Sequence, residues 1–346
     1  MTGDLALLLA QDGLANGAIY VLVALGIVQV FLVTRVIFVP FGDIVAYASL
    51  TLAALQAGKR PGTVWLVLLL AVIAFIFEIA GPARRNIPRA ALTWLALPLL
   101  PVAAVWLLTG VKLPLGLDYT LTIALILPIG PLLYRVAFRP IADAPVLVLL
   151  IVAVVLHFAV SGIALMVFGP EGARPALIVG GGLDVGGLYF PGQMLLMLAS
   201  SAAVTLLLAL FFDRTLAGKA LRATAINRVG ARLVGIRPGH AGLIAFLVAS
   251  ALAAISGILI GPVTTLFYDS GFVIGLKAFV GAIIGGLVSA PLAALGALAI
   301  GQLESFSAFY DSTMKDAVVF AVLIPILILR SLLQRAPEDE PEEEEL

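Results

Sequence analysis

The chain has 346 residues, 62% of them hydrophobic and 12% charged, with 20 basic and 20 acidic side chains in balance and a mean hydropathy of +1.17. An ordinary soluble domain has about a quarter of its residues charged, so this composition excludes a water-facing globule. The absence of cysteine excludes disulfides, thiolate metal sites and cysteine nucleophiles.

Hydrocarbon offers the backbone no hydrogen-bond partner. Long apolar runs therefore read as helices of an all-α polytopic membrane protein, not as the alternating strands of about ten residues that build a barrel. The opening 1–13 carries Asp4 and Asp12 but no Lys or Arg, so it lacks the basic start of a cleavable signal peptide, and the start is expected to be kept. Splitting the apolar runs at glycine, proline and charge clusters predicts eleven spans. They fall at 13–33, 38–57, 62–80, 90–109, 118–134 and 145–168, then at 192–212, 241–261, 272–289, 291–308 and 316–333. Together they make one transmembrane domain, 1–335, and the acidic, proline-broken 336–346 reads as a disordered tail.

Cations in short loops tend to stay cytoplasmic. Placing 213–240 inside, with Arg214, Lys219, Arg222, Arg228, Arg232 and Arg237, also puts Arg35, Arg84, Arg85, Arg89, Arg135, Arg139, Arg330 and Arg335 inside. Lys59, Arg60, Lys112, Arg174 and Lys315 are left outside, the N-terminus is external and the tail cytoplasmic. The outer segment 168–193 has short apolar pieces on either side of a glycine-rich run from Gly180 to Gly187, the pattern either of a surface hairpin or of a plain linker. In the inner segment, 218–234 is rich in helix-forming Ala, Leu, Arg and Lys, and Gly235 and Pro238 are stop signals. It is too polar to span and has no clean amphipathic stripe, so it reads either as a short basic helix pair that docks a cytoplasmic protein or as a basic, orienting loop.

A transporter needs an energy source. Gly58-Lys59 and Gly218-Lys219 are the only Gly-Lys pairs, and neither stands in a G-x-x-x-x-G-K-[ST] phosphate loop. His157 and His240 lie far apart without metal-ligand spacing, and no G-x-S-x-G occurs. Neither an enzyme nor a metal or cofactor on this chain is expected. Ionisable residues within spans are costly and are candidate sites. Asp43 follows Pro40 and Gly42, where a helix break would expose backbone groups to a cavity. Gly42 and Asp43 are thus translocation-path candidates, the competing reading being a cap on the second span. His157, midway along a span, reads as a helix–helix hydrogen-bonding residue. Lys277 and Glu304 are expected at similar depth in neighbouring antiparallel spans and are predicted to pair, against separate snorkelling to the interface. Gly281, Gly285, Gly286, Gly296 and Gly301 read as helix-packing positions.

RTLAGKALRATAINRVGARLVGI, LKAFVGAIIGGLVSAPLAALGALAIGQLES and MKDAVVFAVLIPILILR, with the opening DGLANGAIYVLVALGIVQVF, resemble the branched-chain amino acid ABC importer permeases, in particular their LivH-like subunit. The resemblance runs over nearly the whole chain and implies the ABC importer permease fold in a bacterial inner membrane. It implies that Gly218, Ala220, Arg222, Ala223, Ala231, Leu233, Gly235 and Ile236 dock onto a separate ATPase subunit, which would use ATP and magnesium. It also implies a second, LivM-like permease subunit, an external solute-binding protein and a small organic substrate, in a lipid setting with no nucleic acid. A sugar-type permease of the same superfamily and a proton-coupled secondary transporter are the alternatives. Three departures stand out. The family's Phe-Ala-His-Gly-Glu type sequence is here Val39-Pro40-Phe41-Gly42-Asp43, with no histidine and a shorter acid. An additional apolar stretch containing Trp94 and Trp106 lies between Gly81 and Leu117, expected to form an inserted span or pair. The usual Pro-Gln-Gly ending is replaced by 330–335 and the acidic tail.

Overall fold

A computed structural model describes residues 3–80, 87–109 and 115–333. Arg84, Arg85, Lys112, Arg335 and the acidic tail, on which parts of the topology reading rest, lie outside the described residues, as does the side chain of Arg330.

The chain is an all-α bundle, with one small hairpin. In order come α1 (Gly3–Thr34), α2 (Phe41–Gln56), α3 (Thr63–Ala80), α4 (Ile87–Ala91) and α5 (Leu97–Leu108). Then follow α6 (Leu115–Ile126), α7 (Ile129–Leu133), α8 (Val146–Phe168), strands β1 (Gly182–Val185) and β2 (Leu188–Pro191), and α9 (Gly192–Arg214). The short α10 (Leu216–Ile226) and α11 (Arg228–Leu233) precede α12 (Pro238–Ile260), α13 (Ser270–Ile284), α14 (Ala290–Tyr310), α15 (Lys315–Ala321) and α16 (Leu323–Leu333). A π turn, Leu92–Ala96, joins α4 to α5 into the single apolar helix Ile87–Leu108, so the described part of the inserted stretch is one span. Pro128 interrupts the next helix between α6 and α7, and the whole runs on as Gly116–Ile141.

Eight helices among the described residues are long and apolar enough to cross a membrane, not the eleven expected from hydropathy. The three exceptions have physical causes. α2 has 16 residues and α13 has 15, which at 1.5 Å per residue gives about 22–24 Å against a hydrocarbon thickness of about 30 Å. α2 is entered by non-helical backbone, 35–40, much of it buried in the bundle, whereas α13 stops at Ile284, where Gly285 and Gly286 turn the chain before the apolar run ends. The run 316–333 breaks into α15 and α16, because Pro325 has no N–H for the Ala321 carbonyl.

α1 lies at the centre, with Ile19 to Val30 almost wholly buried. Small residues let its neighbours approach. Gly301 of α14 lies against the α1 backbone at Gly13 and Gly17, and Gly281 of α13 and Gly285 just past its end lie against Ala297 and Ala293 of α14. Without a hydrophobic drive between helices in lipid, such close packing is a principal source of cohesion. Gly286, read as a packing residue, instead turns the chain between α13 and α14.

The two ends of the bundle differ. At one end β1 and β2 pair antiparallel about Gly186 and Gly187, and Gln11 donates to the Tyr189 carbonyl at 3.0 Å. At the other end are the basic helices α10 and α11, where Arg228 donates to the Ala142 carbonyl at 3.3 Å and Arg232 lies 3.7 Å from Asp143.

Candidate functional site

Pro40 starts α2 deep in the bundle, and Gly271 in the first turn of α13 meets Gly42 there so closely that a methyl on either glycine would overlap the other's carbonyl. Two helix N-termini therefore converge beside Asp43. Their partial positive charge favours an anion, which explains how a carboxylate with no exposure is tolerated. The Asp43 side chain does not cap α2. It reaches across to α8, where its Oδ2 lies 2.7 Å from His157 Nδ1, while its buried Oδ1 has no hydrogen-bond partner among the described residues. The His157 ring stacks on Phe272 at 4.4 Å between centroids. The resemblance implies a histidine beside the acid in sequence; in this chain a histidine reaches the acid from α8. An apolar cavity of about 270 Å³ borders this centre, lined among others by Phe38, Val39, Val154, His157, Phe272 and Phe279.

A second buried cluster joins α1, α13, α14 and α15. Lys277 Nζ lies 2.6 Å from Glu304 Oε1 and 2.7 Å from Asp316 Oδ1, and Tyr20 donates to Glu304 Oε2 at 2.5 Å. The lysine side chain is 5% exposed and that of Glu304 9%, whereas that of Asp316 is 43% exposed and can draw on water. Sequence reasoning named Lys277 and Glu304 but missed Asp316 and Tyr20. An acid at the start of an apolar run was the available signal for Asp316; nothing local marks Tyr20.

The basic segment is a short helix pair that breaks at Asn227, which leaves the helical region and whose side chain caps α11, accepting from Gly230 N at 2.8 Å. Gly235 ends α11 with φ +85°, its N–H bonding Arg232 O and that of Ile236 bonding Ala231 O. This is the glycine-dependent close of a helix, which a side chain would strain. Of the eight candidate docking residues, Gly218 and Ala231 face inward and anchor the pair, with Gly218 against the Phe211 carbonyl. Ala220, Ala223 and Ile236 are half-buried, and Arg222, Leu233 and Gly235 are exposed, Arg222 pairing with Asp213 at 2.7 Å. The outward surface also holds Leu216, Ile226, Val229 and Val234, at 67–87% exposure, which the sequence reading did not single out. Hydrophobic residues next to polar termini gave no periodic signal there.

A helical bundle with buried intramembrane charges and an anchored basic helix pair at one end defines a polytopic membrane protein that carries no phosphate loop of its own. The sequence profile of the family described as branched-chain amino acid transport system / permease component matches residues 9–327, and the chain belongs to that family. It is similar to the high-affinity branched-chain amino acid transport system permease protein BraD of Pseudomonas aeruginosa, with 32% identity over 203 residues, 57% of this chain and 66% of that protein. The corresponding LivH proteins of Salmonella typhimurium and Escherichia coli K12 are each 34% identical over 206 residues, 56% of this chain and 66% of theirs. The match thus spans just under two thirds of the length of these curated relatives. No solved structure matches the chain.

Proposed function

We propose that this chain is the non-catalytic permease subunit of an ATP-binding cassette importer in a bacterial inner membrane, moving branched-chain amino acids or a related small solute. The observation that carries the reading is the anchored helix pair α10–α11. Gly218, Leu221 and Thr224 hold α10 to the bundle and Ala231 holds α11, while Leu216, Ile226, Val229, Leu233 and Val234 are left bare among basic residues. Covering a bare Leu or Val is worth about 1.5–3 kcal/mol, so a soluble partner that covers several would be held firmly. A separate ATPase subunit that uses ATP and magnesium fits this surface and the missing phosphate loop. The full assembly would contain a second permease subunit, which we expect to be LivM-like, and an external solute-binding protein. Family membership and the transport activities for which the relatives are named support this assignment.

In this reading ATP-driven closure of the ATPase pair displaces α10 and α11, and the anchored α9 and α12 carry the displacement into the bundle. Gly42 and Asp43, where the two helix N-termini meet, lie near the moving path. The N-terminus is external and the C-terminus cytoplasmic. The test is co-purification of the candidate ATPase with the tagged chain. Leu233→Glu together with Val229→Glu should abolish it while leaving the chain's own melting temperature unchanged. Undiminished recovery of the ATPase from that variant would refute the placement of the interface.

A further inference from the structure

The inserted span Ile87–Leu108 does not pack flush with its neighbours. Between it, the helix Gly116–Ile141 and the first half of α12 lies an apolar cavity of about 560 Å³, walled by Trp94, Pro101, Pro128 and Ile244 among others. Pro101 stands inside α5 and Pro128 between α6 and α7. Proline bends or breaks a helix, and the two facing helices part there. Leu97, Leu100 and Leu247 line the cavity and are 38–63% exposed, so it opens through the side of the bundle, towards hydrocarbon. A space with apolar walls does not hold water. Beyond one end of it each wall carries a cation: Arg89 one turn past Thr93, Arg139 two turns past Leu132, and Arg237 just before α12. At 1.5 Å per residue they stand about 6–11 Å along the helices from the cavity. Arg139 reaches towards α12, its Nε 3.9 Å from where a Cβ on Gly239 would lie. None of the three has an acidic partner among the described residues, whereas the acids Glu78 and Asp143 are engaged by Arg135 and Arg232 at 2.7 and 3.7 Å. Exposed cations at one end are ordinary in a membrane protein. An apolar slot that opens to lipid, with cations from all three walls at one mouth, matches the two halves of an anionic phospholipid.

We propose that this groove is a binding site for an anionic phospholipid of the surrounding bilayer, with one acyl chain in the slot and the phosphate among Arg89, Arg139 and Arg237. Basic pockets between membrane helices take acidic headgroups in this way. Ile244, which lines the slot, also packs against the cluster of Leu221 and Ala241 that holds α10 to the bundle. The lipid therefore braces the stretch of α12 on which α10 is anchored, and the inserted span is the wall that makes the slot. Binding of the lipid does not depend on the importer reading.

Trp94 lines the slot and reports on it. The full chain with Trp65→Phe and Trp106→Phe, which leaves Trp94 as its one tryptophan, is placed in phosphatidylcholine nanodiscs. A rising fraction of that lipid is replaced by phosphatidylglycerol or by phosphatidylcholine brominated near the headgroup end of an acyl chain, and quenching of Trp94 is read. Phosphatidylglycerol should quench saturably, at a mole fraction at least about tenfold lower than the brominated phosphatidylcholine needs. Arg89→Gln and Arg139→Gln should each weaken that preference about fivefold, the worth of one cation near an anionic surface, and Arg89→Lys should keep most of it. Ala124→Phe, which fills the slot without touching a cation, should lower quenching by either lipid. Equal quenching by the two lipids, in proportion to mole fraction, would mean annular lipid only and overturn the proposal, as would a preference that survives loss of both Arg89 and Arg139. So would quenching that is lost on assembly with the second permease subunit, since that assigns the groove to the subunit. Arg89 and Arg139 are exposed, so their arms of the test hold even where Ala124→Phe fails to fold.

Discussion

Lys277→Met removes the cation that two carboxylates share while nearly keeping the side chain's length. Glu304, with a side chain 9% exposed, would then keep only the Tyr20 hydroxyl, whereas Asp316, 43% exposed, can turn to water. Removing one partner of a buried ion pair costs about 3–5 kcal/mol, because the other charge is left uncompensated. Glu304→Gln is the milder change, since Lys277 keeps Asp316 at 2.7 Å and the amide can still accept from Tyr20. It should cost about 1–2 kcal/mol. Thermal unfolding of the purified chain in detergent, followed by tryptophan fluorescence, should rank wild type above Glu304→Gln and that well above Lys277→Met. Exchanging the two charges with Lys277→Glu and Glu304→Lys sets the new carboxylate against Asp316, so rescue should require Asp316→Asn as well. Equal melting of the two single variants, or full rescue by the exchange alone, would refute this account of the cluster.

Gly42→Ala should destabilise by about 1–3 kcal/mol or more, since the added methyl meets the Gly271 carbonyl, a backbone atom that cannot rotate away. Gly162→Ala in the interior of α8 meets nothing and should be neutral or stabilising, which makes it the matched control in the same melting assay. Asp43→Leu should cost about 1–3 kcal/mol by leaving His157 Nδ1 without its partner in an apolar setting. Adding His157→Leu should then cost less than the two single changes summed, a coupling read from a double-mutant cycle; strict additivity would mean that the two do not interact. Gly235→Ala should loosen the close of α11 by about 1 kcal/mol, seen as faster amide exchange at 234–238 with the bundle unchanged.

The bundle was largely legible because hydrocarbon demands long apolar runs and the chain supplies them. Hydropathy does not, however, distinguish a crossing helix from one that begins halfway. The runs containing α2 and α13 look like full spans because apolar residues continue beyond the helix, through 36–39 before α2 and through 285–288 after α13, and only packing reveals Gly42 against Gly271. Lys277 and Glu304 were visible because a charge within an apolar run is conspicuous and a short turn fixes which spans are adjacent. Asp43 and His157 were each conspicuous too, but 114 residues separate them, and no local pattern says that α2 and α8 touch. In the basic segment the helix pair and the stop at Gly235 could be read, while the position of the break at Asn227 could not, because a capping residue inside a run of helix formers resembles any other polar position. The bare Leu216, Ile226, Val229 and Val234 were hidden for a different reason, since exposure is a property of the fold.

The claim that most needs testing is that this chain moves solute only when a separate subunit hydrolyses ATP. The chain is reconstituted in vesicles with its candidate ATPase, second permease and binding protein, and uptake of labelled leucine is followed. Uptake should require hydrolysable ATP, stop when the ATPase is omitted, and be indifferent to collapse of an imposed proton gradient. Uptake that continues without the ATPase and follows the proton gradient would contradict the account and make the chain a secondary transporter.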